Sequence, residues 1–441
     1  MTRDILKFEI RVKPLSPVHI GAGKDFLERG AYHLYREGQA YRLALLKVRP
    51  LAERLLDQGR LITAIQEYRT LGNYPESIAR EIEGGKLASR RMGVHPGAWA
   101  HLRDTGQNGG LKPTIALANG LPYLPGSSVK GAIRTMWLDW QTQRKGAYAR
   151  FLSGVQAADR RGRDRADDTL MERKQIAETL QGASGRMQPQ NRDLFRAVQV
   201  SDLMPDRDQN LTRVQAVLSM SYQPDSHARA SNGGRAGAQA WECLNPEAGA
   251  TYTGTVTIDL ALLRRMRSGD VDVQNLVKGL GEASAWIDAL AGYGERVYGT
   301  EKLHYDMLAD LPKQGSTGIK LWNEQQGLVL DWVMADAQEK AAEHLLPLGM
   351  GTGLLAHSLL GVLAPEGESD IAFLGDEAGR GQTLMKEVLD TGLKRDLNAY
   401  DNPEFPAPKS RRVTGQFGGK LASEMSAERP LGWTTTTLTP V

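Results

Sequence analysis

The sequence has one cysteine, no long apolar run and few aromatic residues. Because Cys243 is alone, an internal disulfide and a cysteine-based zinc site are both excluded. No apolar stretch approaches the ~18–20 residues that span a bilayer, and Met1–Lys7 lacks the apolar core of a secretory signal. We therefore expect a cytoplasmic protein that makes no contact with a membrane.

The motifs of common enzyme classes are also missing. No two histidines have the spacing of a zinc protease, and no serine lies in a Gly-x-Ser-x-Gly elbow. The loop Gly126–Gly131 is followed by Ala132 and Ile133, so it lacks the hydroxyl that holds Mg²⁺ in a nucleoside triphosphate-binding loop. We expect no catalytic residue, no metal and no cofactor. His19, between a strand and a glycine turn, is the one histidine placed like a general acid or base; a structural or RNA-stacking role is the alternative.

Glycine is abundant, and its distribution is more informative than the net charge. The formal charge of +3 is too small to indicate a nucleic-acid partner, whereas the 48 glycines exceed the about 31 that average usage predicts for 441 residues. Many of them lie in short clusters beside basic residues, where a backbone can approach a polyanion closely. Aromatic residues make up 6% of the chain, and no RNP motif of the RRM type occurs. Any RNA binding would therefore use main-chain groups with lysine and arginine.

The first glycine cluster follows a strongly alternating segment. Apolar and charged residues alternate strictly from Leu6 to Lys13, which predicts a half-buried strand in an antiparallel sheet. The strand runs into the glycine turn Val18-His-Ile-Gly-Ala-Gly-Lys24. The same order of strand, glycine turn and helix recurs later in the chain.

The sharpest local signal is Leu121-Pro-Tyr-Leu-Pro-Gly-Ser-Ser-Val-Lys-Gly-Ala-Ile-Arg-Thr135. Proline and glycine interrupt the preceding segment, and Ser127 or Ser128 is predicted to be the N-cap of a helix. The helix has an apolar stripe at i, i+3, i+4, i+7, i+8 and i+11 that predicts packing against a sheet; the stripe consists of Val129, Ala132, Ile133, Met136, Trp137 and Trp140.

The start of this helix has two unusual residues. Lys130 lies in the first turn, where the helix dipole disfavours a cation, and Gly131 costs about 1 kcal/mol of helix propensity relative to alanine. Both residues are explained if a phosphate lies against this turn, and Arg134 would then extend the basic face. An ordinary capped turn with a solvated lysine is the alternative.

Later segments repeat the pattern. Thr251–Leu260 predicts a strand, His344–His357 predicts a glycine loop that opens a helix, and Pro430–Leu438 predicts a closing strand. The loop Gly349-Met-Gly-Thr-Gly353 is either a tight turn or an RNA-backbone contact. Alternating strands favour an α+β fold of two ferredoxin-like (RRM-like) domains with helical and loop insertions, at 1–245 and 246–441.

Four segments together resemble the RAMP superfamily: Leu15–Gly23, the Pro-Gly-Ser-Ser-x-Lys-Gly-x-x-Arg block of Pro122–Arg134, Val200–Asp202, and the C-terminal glycine loops closing on Pro430–Trp433. Their order is most similar to the family of fifth subunits of the Csm complexes of type III-A CRISPR effectors. The resemblance implies two ferredoxin-like RAMP domains and a non-catalytic subunit in antiviral defence that holds the 3′ part of a guide RNA (crRNA). It also implies other Csm subunits as partners, chiefly the repeated backbone RAMP subunit, and nucleases recruited for guide maturation.

The resemblance also places the RNA contacts. They are expected at His19, Gly21, Gly23, Lys24, Ser127, Ser128, Lys130, Gly131, Arg134, Gly349, Gly351, Gly353 and Lys420. The last glycine cluster, which contains Lys420, is interrupted by Phe417, so this sequence departs there from the family's pattern. Two alternatives remain at this level: an endoribonuclease of the same superfamily that cleaves precursor crRNA with His19, and another RAMP position in a type III effector.

Overall fold

The computed structural model of the chain describes more than half of its length. The described residues are 4–23, 26–64, 66, 74–104, 110–142, 193–221, 229–230, 238–265, 271–310, 343–353, 356, 410–417 and 425–441. Two of the expected RNA-contact residues, Lys24 and Lys420, lie outside these ranges, as does the helix predicted after Gly353.

The described chain contains fifteen strands and seven α-helices. The strands are β1 (Ile5–Pro14), β2 (Tyr32–Glu37), β3 (Ala40–Leu46), β4 (Ala88–Val94), β5 (Leu111–Lys112), β6 (Val198–Val200), β7 (Met204–Pro205), β8 (Thr212–Ser221), β9 (Arg229–Ala230), β10 (Ala238–Leu244), β11 (Tyr252–Asp259), β12 (His344–Leu345), β13 (Ser410–Phe417), β14 (Met425–Pro430) and β15 (Thr434–Pro440). The helices are α1 (Val48–Asp57), α2 (Glu76–Glu83), α3 (Pro96–Asp104), α4 (Gly126–Thr142), α5 (Leu260–Arg265), α6 (Val271–Leu280) and α7 (Ala283–Asp310). Among the described residues, no helix is long and apolar enough to cross a membrane.

The first sheet is built around β1. Its strand order is β12-β15-β1-β11-β6, with β7 also paired to β11, and every pairing is antiparallel. Ile10 lies opposite Gly254 on one side and Leu438 on the other. The alternation predicted from the sequence is confirmed, because Phe8, Ile10 and Val12 are fully buried while the charged residues between them face outward.

Helices α4 and α7 cover the buried face of the first sheet. The predicted apolar stripe of α4 is confirmed: Val129, Ile133, Met136 and Trp137 are buried in the same core as β1. Trp137 meets Trp286 of α7 edge to face, with ring centroids 5.1 Å apart. Since a fully buried large apolar side chain contributes about 1.5–3 kcal/mol, this stripe fixes the position of α4 and hence of its N-terminal turn.

The second sheet lies beside the first and contains the other described strands. Its main order is β14-β13-β8-β4-β3-β2; β10 pairs with β8 and β5, and β9 pairs with β8. Most pairings are antiparallel, but β4 runs parallel to β8 and β5 runs parallel to β10. Helices α1 and α2 bury four aliphatic side chains against one face of this sheet; these are Leu51, Leu55, Ile78 and Ile82.

Both sheets contain strands from the two sides of residue 245. In the first sheet β1 pairs with β11 and β15, and in the second sheet β8 pairs with β13. A mixed architecture of helices and sheets is therefore confirmed. The division into domains at 1–245 and 246–441 stays a prediction, and the hydrogen-bonded sheets cross that boundary.

Candidate nucleic-acid interface

The first turn of α4 is packed against the end of β6 and the residues that follow it. A Cβ on Gly126 would overlap the carbonyl oxygen of Val200, so only glycine allows the helix to begin this close to the strand. The N–H of Gly126 donates to the carboxylate of Asp202, at 2.8 Å. The protein thus places its own anion at the positive end of the helix dipole.

The expected N-cap role of the two serines is wrong. The helix begins at Gly126, so Ser127 and Ser128 lie within its first turn, and the N–H groups of Ser128 and Val129 donate to the carbonyl of Pro125 at 3.0 and 3.2 Å. Ser127 is exposed and Ser128 is half-buried. Asp202 supplies the capping contact instead, in keeping with the loop-anchoring role that its position after a strand suggests.

The basic face of α4 is partly neutralised by the protein itself. Arg134 forms an ion pair with Asp193 at 3.2 Å. Burial lowers the pKa of Lys130, and the nearby Arg134 lowers it further, while Asp193 opposes the shift. Gly131 is exposed, and a Cβ built on it meets no described atom within 4 Å. Packing within the described chain therefore does not require this glycine, which leaves an open strip of backbone beside Lys130.

His19 lies inside the protein. It is fully buried, and its Nδ1 is 2.7 Å from the carbonyl oxygen of Glu242. Because a carbonyl only accepts, Nδ1 carries the proton, and the other ring nitrogen has no hydrogen-bond partner. Burial lowers the pKa of His19 to about 4; the hydrogen bond that its ring donates to the Glu242 carbonyl opposes this shift, and the charges of Lys112 and Arg412 add to it. The ring is therefore neutral at pH 7.

The two glycine loops predicted from the sequence meet at His19. The N–H of Met350 donates to the carbonyl of His19 at 2.7 Å. Gly349 has φ of 84°, and a Cβ there would approach the His19 carbonyl oxygen to 2.5 Å. Gly21 forms an isolated antiparallel bridge with Thr114 on the other side. The structure thus brings together segments that are more than 300 residues apart in the chain.

The remaining glycines of the interface fall into two groups. Gly351 and Gly353 have φ of 103° and 91°, and Gly351 packs so closely on Leu431 that a side chain would clash there. Gly23 is exposed with φ of 148° and an open surface around it. The first two glycines are required by the turn and its packing, whereas Gly23 leaves backbone accessible.

Sequence reasoning missed three residues that the sheets assemble next to these loops. The indole of Trp241 lies beneath two cations: the Nζ of Lys112 is 4.7 Å from the ring centroid and the guanidinium carbon of Arg412 is 5.2 Å from it. Trp241 also lies against His19, with ring centroids 4.8 Å apart. Lys112 reaches the sulfur of Met350 at 3.0 Å, which joins this group to the second glycine loop.

No local motif could have indicated this grouping, because the three residues come from β5, β10 and β13. Register explains it: Lys112 lies beside Trp241 in the parallel pair of β5 and β10, and β13 joins the same sheet through β8. The available signal was the basic run Lys409-Ser-Arg-Arg412 ahead of a glycine cluster. The partner strands cannot be identified from that run.

The described residues hold no group of three or more histidine, cysteine, aspartate or glutamate side chains that could bind a metal ion. Cys243 is buried, and burial raises the pKa of its thiol well above the ordinary value, so the thiol is protonated and unreactive at neutral pH. The expected absence of a metal and of a catalytic residue stays a prediction.

Two sheets with packed helices define a mixed α/β protein, in which the glycine loops at Gly21 and Gly349 meet at His19, beside Trp241 and the cations Lys112 and Arg412. The chain belongs to the RAMP superfamily, whose family model matches residues 11–326. This confirms the resemblance found in the sequence. No curated protein matches the chain.

Two solved structures have the same fold along nearly the whole chain. One is a chain of the Csm–crRNA–target RNA ternary complex of a type III-A CRISPR–Cas system, with a TM-score of 0.59 and 21% identity, covering 97% of this chain and 100% of that one. The other is Csm5 of T. onnurineus, with a TM-score of 0.52 and 18% identity, covering 97% of this chain and 99% of that one.

Proposed function

We propose that this protein is a non-catalytic subunit of a type III-A CRISPR effector that binds the guide RNA. One observation carries the proposal: over nearly the full length of both chains, the protein has the fold of a subunit of a Csm complex that contains crRNA. Membership of the RAMP superfamily agrees with it. Equally complete coverage of Csm5 favours the fifth subunit over another RAMP position. The partners are then crRNA and other Csm subunits, chiefly the backbone RAMP subunit; recruitment of nucleases stays a prediction.

The proposed architecture is two ferredoxin-like domains. For the first sheet, support comes from the chain order β1, α4, β6, β11, α7, β15, which is the βαββαβ order of that motif. The strand neighbours β15-β1-β11-β6 and their antiparallel pairing fit the same motif. For the second sheet, the proposal depends on the likeness to the two solved chains.

RNA binding is supported by cations at two places on the protein. Lys112 and Arg412 lie next to the two glycine loops, and Lys130 lies beside the open backbone of Gly131. Cations next to accessible main chain suit the ribose-phosphate backbone, which carries one charge per nucleotide and needs no base-specific contact. Such binding would be independent of sequence.

The endoribonuclease alternative depends on His19, and the geometry argues against it. A general acid or base needs a pKa near the working pH and access to the reacting proton. His19 has a pKa of about 4, is fully buried, and uses one ring nitrogen to hold the carbonyl of Glu242. These contacts support a structural role for His19 instead.

Binding and cleavage can be measured on the full-length chain. Titration of labelled single-stranded RNA should give a Kd that rises with salt, with a slope of log K against log[salt] of about −0.7 for each phosphate bound. Incubation with precursor crRNA, with and without Mg²⁺, should leave the RNA intact. Cleavage that His19→Ala abolishes would establish the endoribonuclease instead, and failure to bind single-stranded RNA at low salt would reject the binding function.

A further inference from the structure

Two cations share one aromatic ring at the centre of the interface. Lys112 comes from β5 and Arg412 from β13, and both lie over the indole of Trp241. The ring itself is almost completely buried, and its N–H donates to the side chain of Gln239 at 2.9 Å. A buried indole held in this way is a rigid support for charges at its surface.

Lys112 is half-buried and Arg412 is exposed, and their pairing differs from that of the arginines that the fold encloses. Each of three enclosed arginines is ion-paired with a carboxylate; the pairs are Arg90 with Glu242, Arg296 with Asp139 and Arg411 with Glu301. Neither Lys112 nor Arg412 has a carboxylate within ion-pair distance among the described residues. Burial lowers the pKa of both groups, and the pKa of Lys112 is lowered further by the charge of Arg412. Two like charges held together without a counter-charge favour an external anion.

Two exposed apolar side chains flank the cation pair. Phe26 is 41% exposed, with its ring centroid 6.0 Å from the Nζ of Lys112, and Met350 is 39% exposed and contacts the same lysine. A Cβ on Gly110 would lie 2.5 Å from the Cβ of Phe26, so glycine is needed there for Phe26 to occupy its place. An aromatic ring held at the surface, beside cations that no carboxylate among the described residues neutralises, matches the stacking platforms that bind single-stranded nucleic acid.

We propose that Lys112 and Arg412 contact the phosphate backbone of a single-stranded RNA, and that a base of the same RNA stacks on Phe26. The inference depends on the proposed RNA-binding function and assigns it a specific site. The site binds single-stranded RNA of any sequence, because neither the cations nor the phenyl ring forms hydrogen bonds with the edge of a base. The proposal also gives a role to the two glycine loops, which lie next to Trp241 and Lys112 and would border the bound RNA.

The cation pair is tested with the full-length variant Lys112→Gln/Arg412→Gln. Its affinity for single-stranded oligouridine, measured by fluorescence anisotropy over a range of salt concentrations, should be weaker than that of the wild type. The salt slope should be shallower by about 0.7 for each phosphate that the variant no longer binds. The matched control is Arg42→Gln/Arg213→Gln. It removes two cations from the same sheet, each of which is paired with a carboxylate, Glu37 and Glu247.

The control should keep the wild-type slope, and circular dichroism should show that both double variants are folded. If the wild type binds oligouridine and the two double variants have equal slopes, this site is wrong while the RNA-binding function stands. If the wild type does not bind oligouridine, the proposed function itself fails, and the site fails with it.

The stacking contact is tested separately with Phe26→Leu, which keeps an apolar side chain but removes the ring. Loss of the stacked base should raise Kd about fivefold or more. The salt slope should not change, because the substitution removes no charge. The control is Ile62→Ala, another exposed apolar side chain, which is 73% exposed. Equal affinities of Phe26→Leu and the wild type would reject the base contact.

Discussion

At the residue scale, two glycines of the interface occupy opposite environments. Gly349 has a positive φ and lies against the carbonyl of His19, so its missing side chain is required by the backbone and by packing. Gly131 lies in a regular helix with open space around it, so neither the backbone nor packing within the described protein requires a glycine there. In the sequence, both residues are glycines beside expected RNA contacts. Only the atoms around them in the structure show that Gly349 is required by the fold and Gly131 is not.

We expect alanine to have opposite effects at these positions. Gly131→Ala should stabilise the fold by up to about 1 kcal/mol, because alanine favours the helix and meets no neighbour, and it should weaken RNA binding if the ligand approaches this turn. Gly349→Ala should destabilise the fold by at least about 1 kcal/mol through its left-handed φ and the clash with His19. Midpoints of urea unfolding measure both effects. Equal shifts for the two variants would contradict the assignment.

His19 provides a prediction on pH. Its pKa is about 4 in the folded chain, against 6.5 as the ordinary value, so the unfolded chain binds the proton more tightly. The contribution of neutral His19 to stability is complete above about pH 6.5 and is lost as the pH falls through 4. Relative to His19→Gln, which keeps an N–H for the Glu242 carbonyl, the wild type should lose up to about 3 kcal/mol between pH 7 and pH 4.

Urea unfolding of the wild type and His19→Gln across this pH range measures the difference. Other histidines with a lowered pKa, such as the half-buried His101, titrate in both proteins, so their effects cancel. Parallel pH profiles of the two proteins would show that His19 does not have the lowered pKa.

At the scale of elements, local periodicity was enough to predict β1 and α4. The period-two pattern of Leu6–Lys13 and the apolar stripe that starts at Val129 depend only on neighbours within the same element. The start of α4 was predicted less well, because its cap comes from Asp202, 76 residues further along the chain. The cation pair over Trp241 could not be predicted, since three strands must first pair in a register that no local pattern encodes.

The capping contact can be tested with two substitutions. Asp202→Ala should cost about 1 kcal/mol of folding free energy, because it leaves the N–H of Gly126 unpaired at the helix start. Asp202→Asn keeps an acceptor oxygen and should lose clearly less. Thermal unfolding monitored by circular dichroism compares the two. If both variants match the wild type, the carboxylate does not stabilise the helix.

At the scale of the whole molecule, the two sheets are connected by more than the chain. Val18 bridges to Leu244, which links the segment after β1 to β10 of the second sheet. Arg411 of β13 pairs with Glu301 of α7 at 2.8 Å, and both side chains are almost fully buried. This ion pair therefore connects the second sheet to a helix that covers the first.

Breaking the ion pair on one side should be costly. Glu301→Ala leaves the guanidinium of Arg411 enclosed without this carboxylate, which typically costs about 3–5 kcal/mol. The double variant Glu301→Leu/Arg411→Met removes both charges and should recover most of that stability. Urea unfolding of the wild type and both variants gives the comparison. A double variant as unstable as the single one would mean that the pair acts through something other than charge burial.

The shared sheets also predict how the chain tolerates division. Fragments 1–245 and 246–441, expressed separately, should be insoluble or unfolded, because each lacks strands that the other supplies to both sheets. Expressed together, they should co-purify as a folded complex. Limited proteolysis and circular dichroism of the separate fragments provide the measurement. Cooperative unfolding of the isolated 1–245 fragment would instead support an autonomous domain ending at residue 245.

The pairing of β1 with β15 has a consequence for biosynthesis. Strand β1 leaves the ribosome well before β15, and in the described structure one of its two hydrogen-bonding edges is paired with β15. At about 5–20 residues per second, the interval between them is on the order of a minute. During that time an alternating apolar strand presents an open edge, the kind of template on which nascent chains aggregate. Production of this protein should therefore depend strongly on holdase chaperones and on growth temperature.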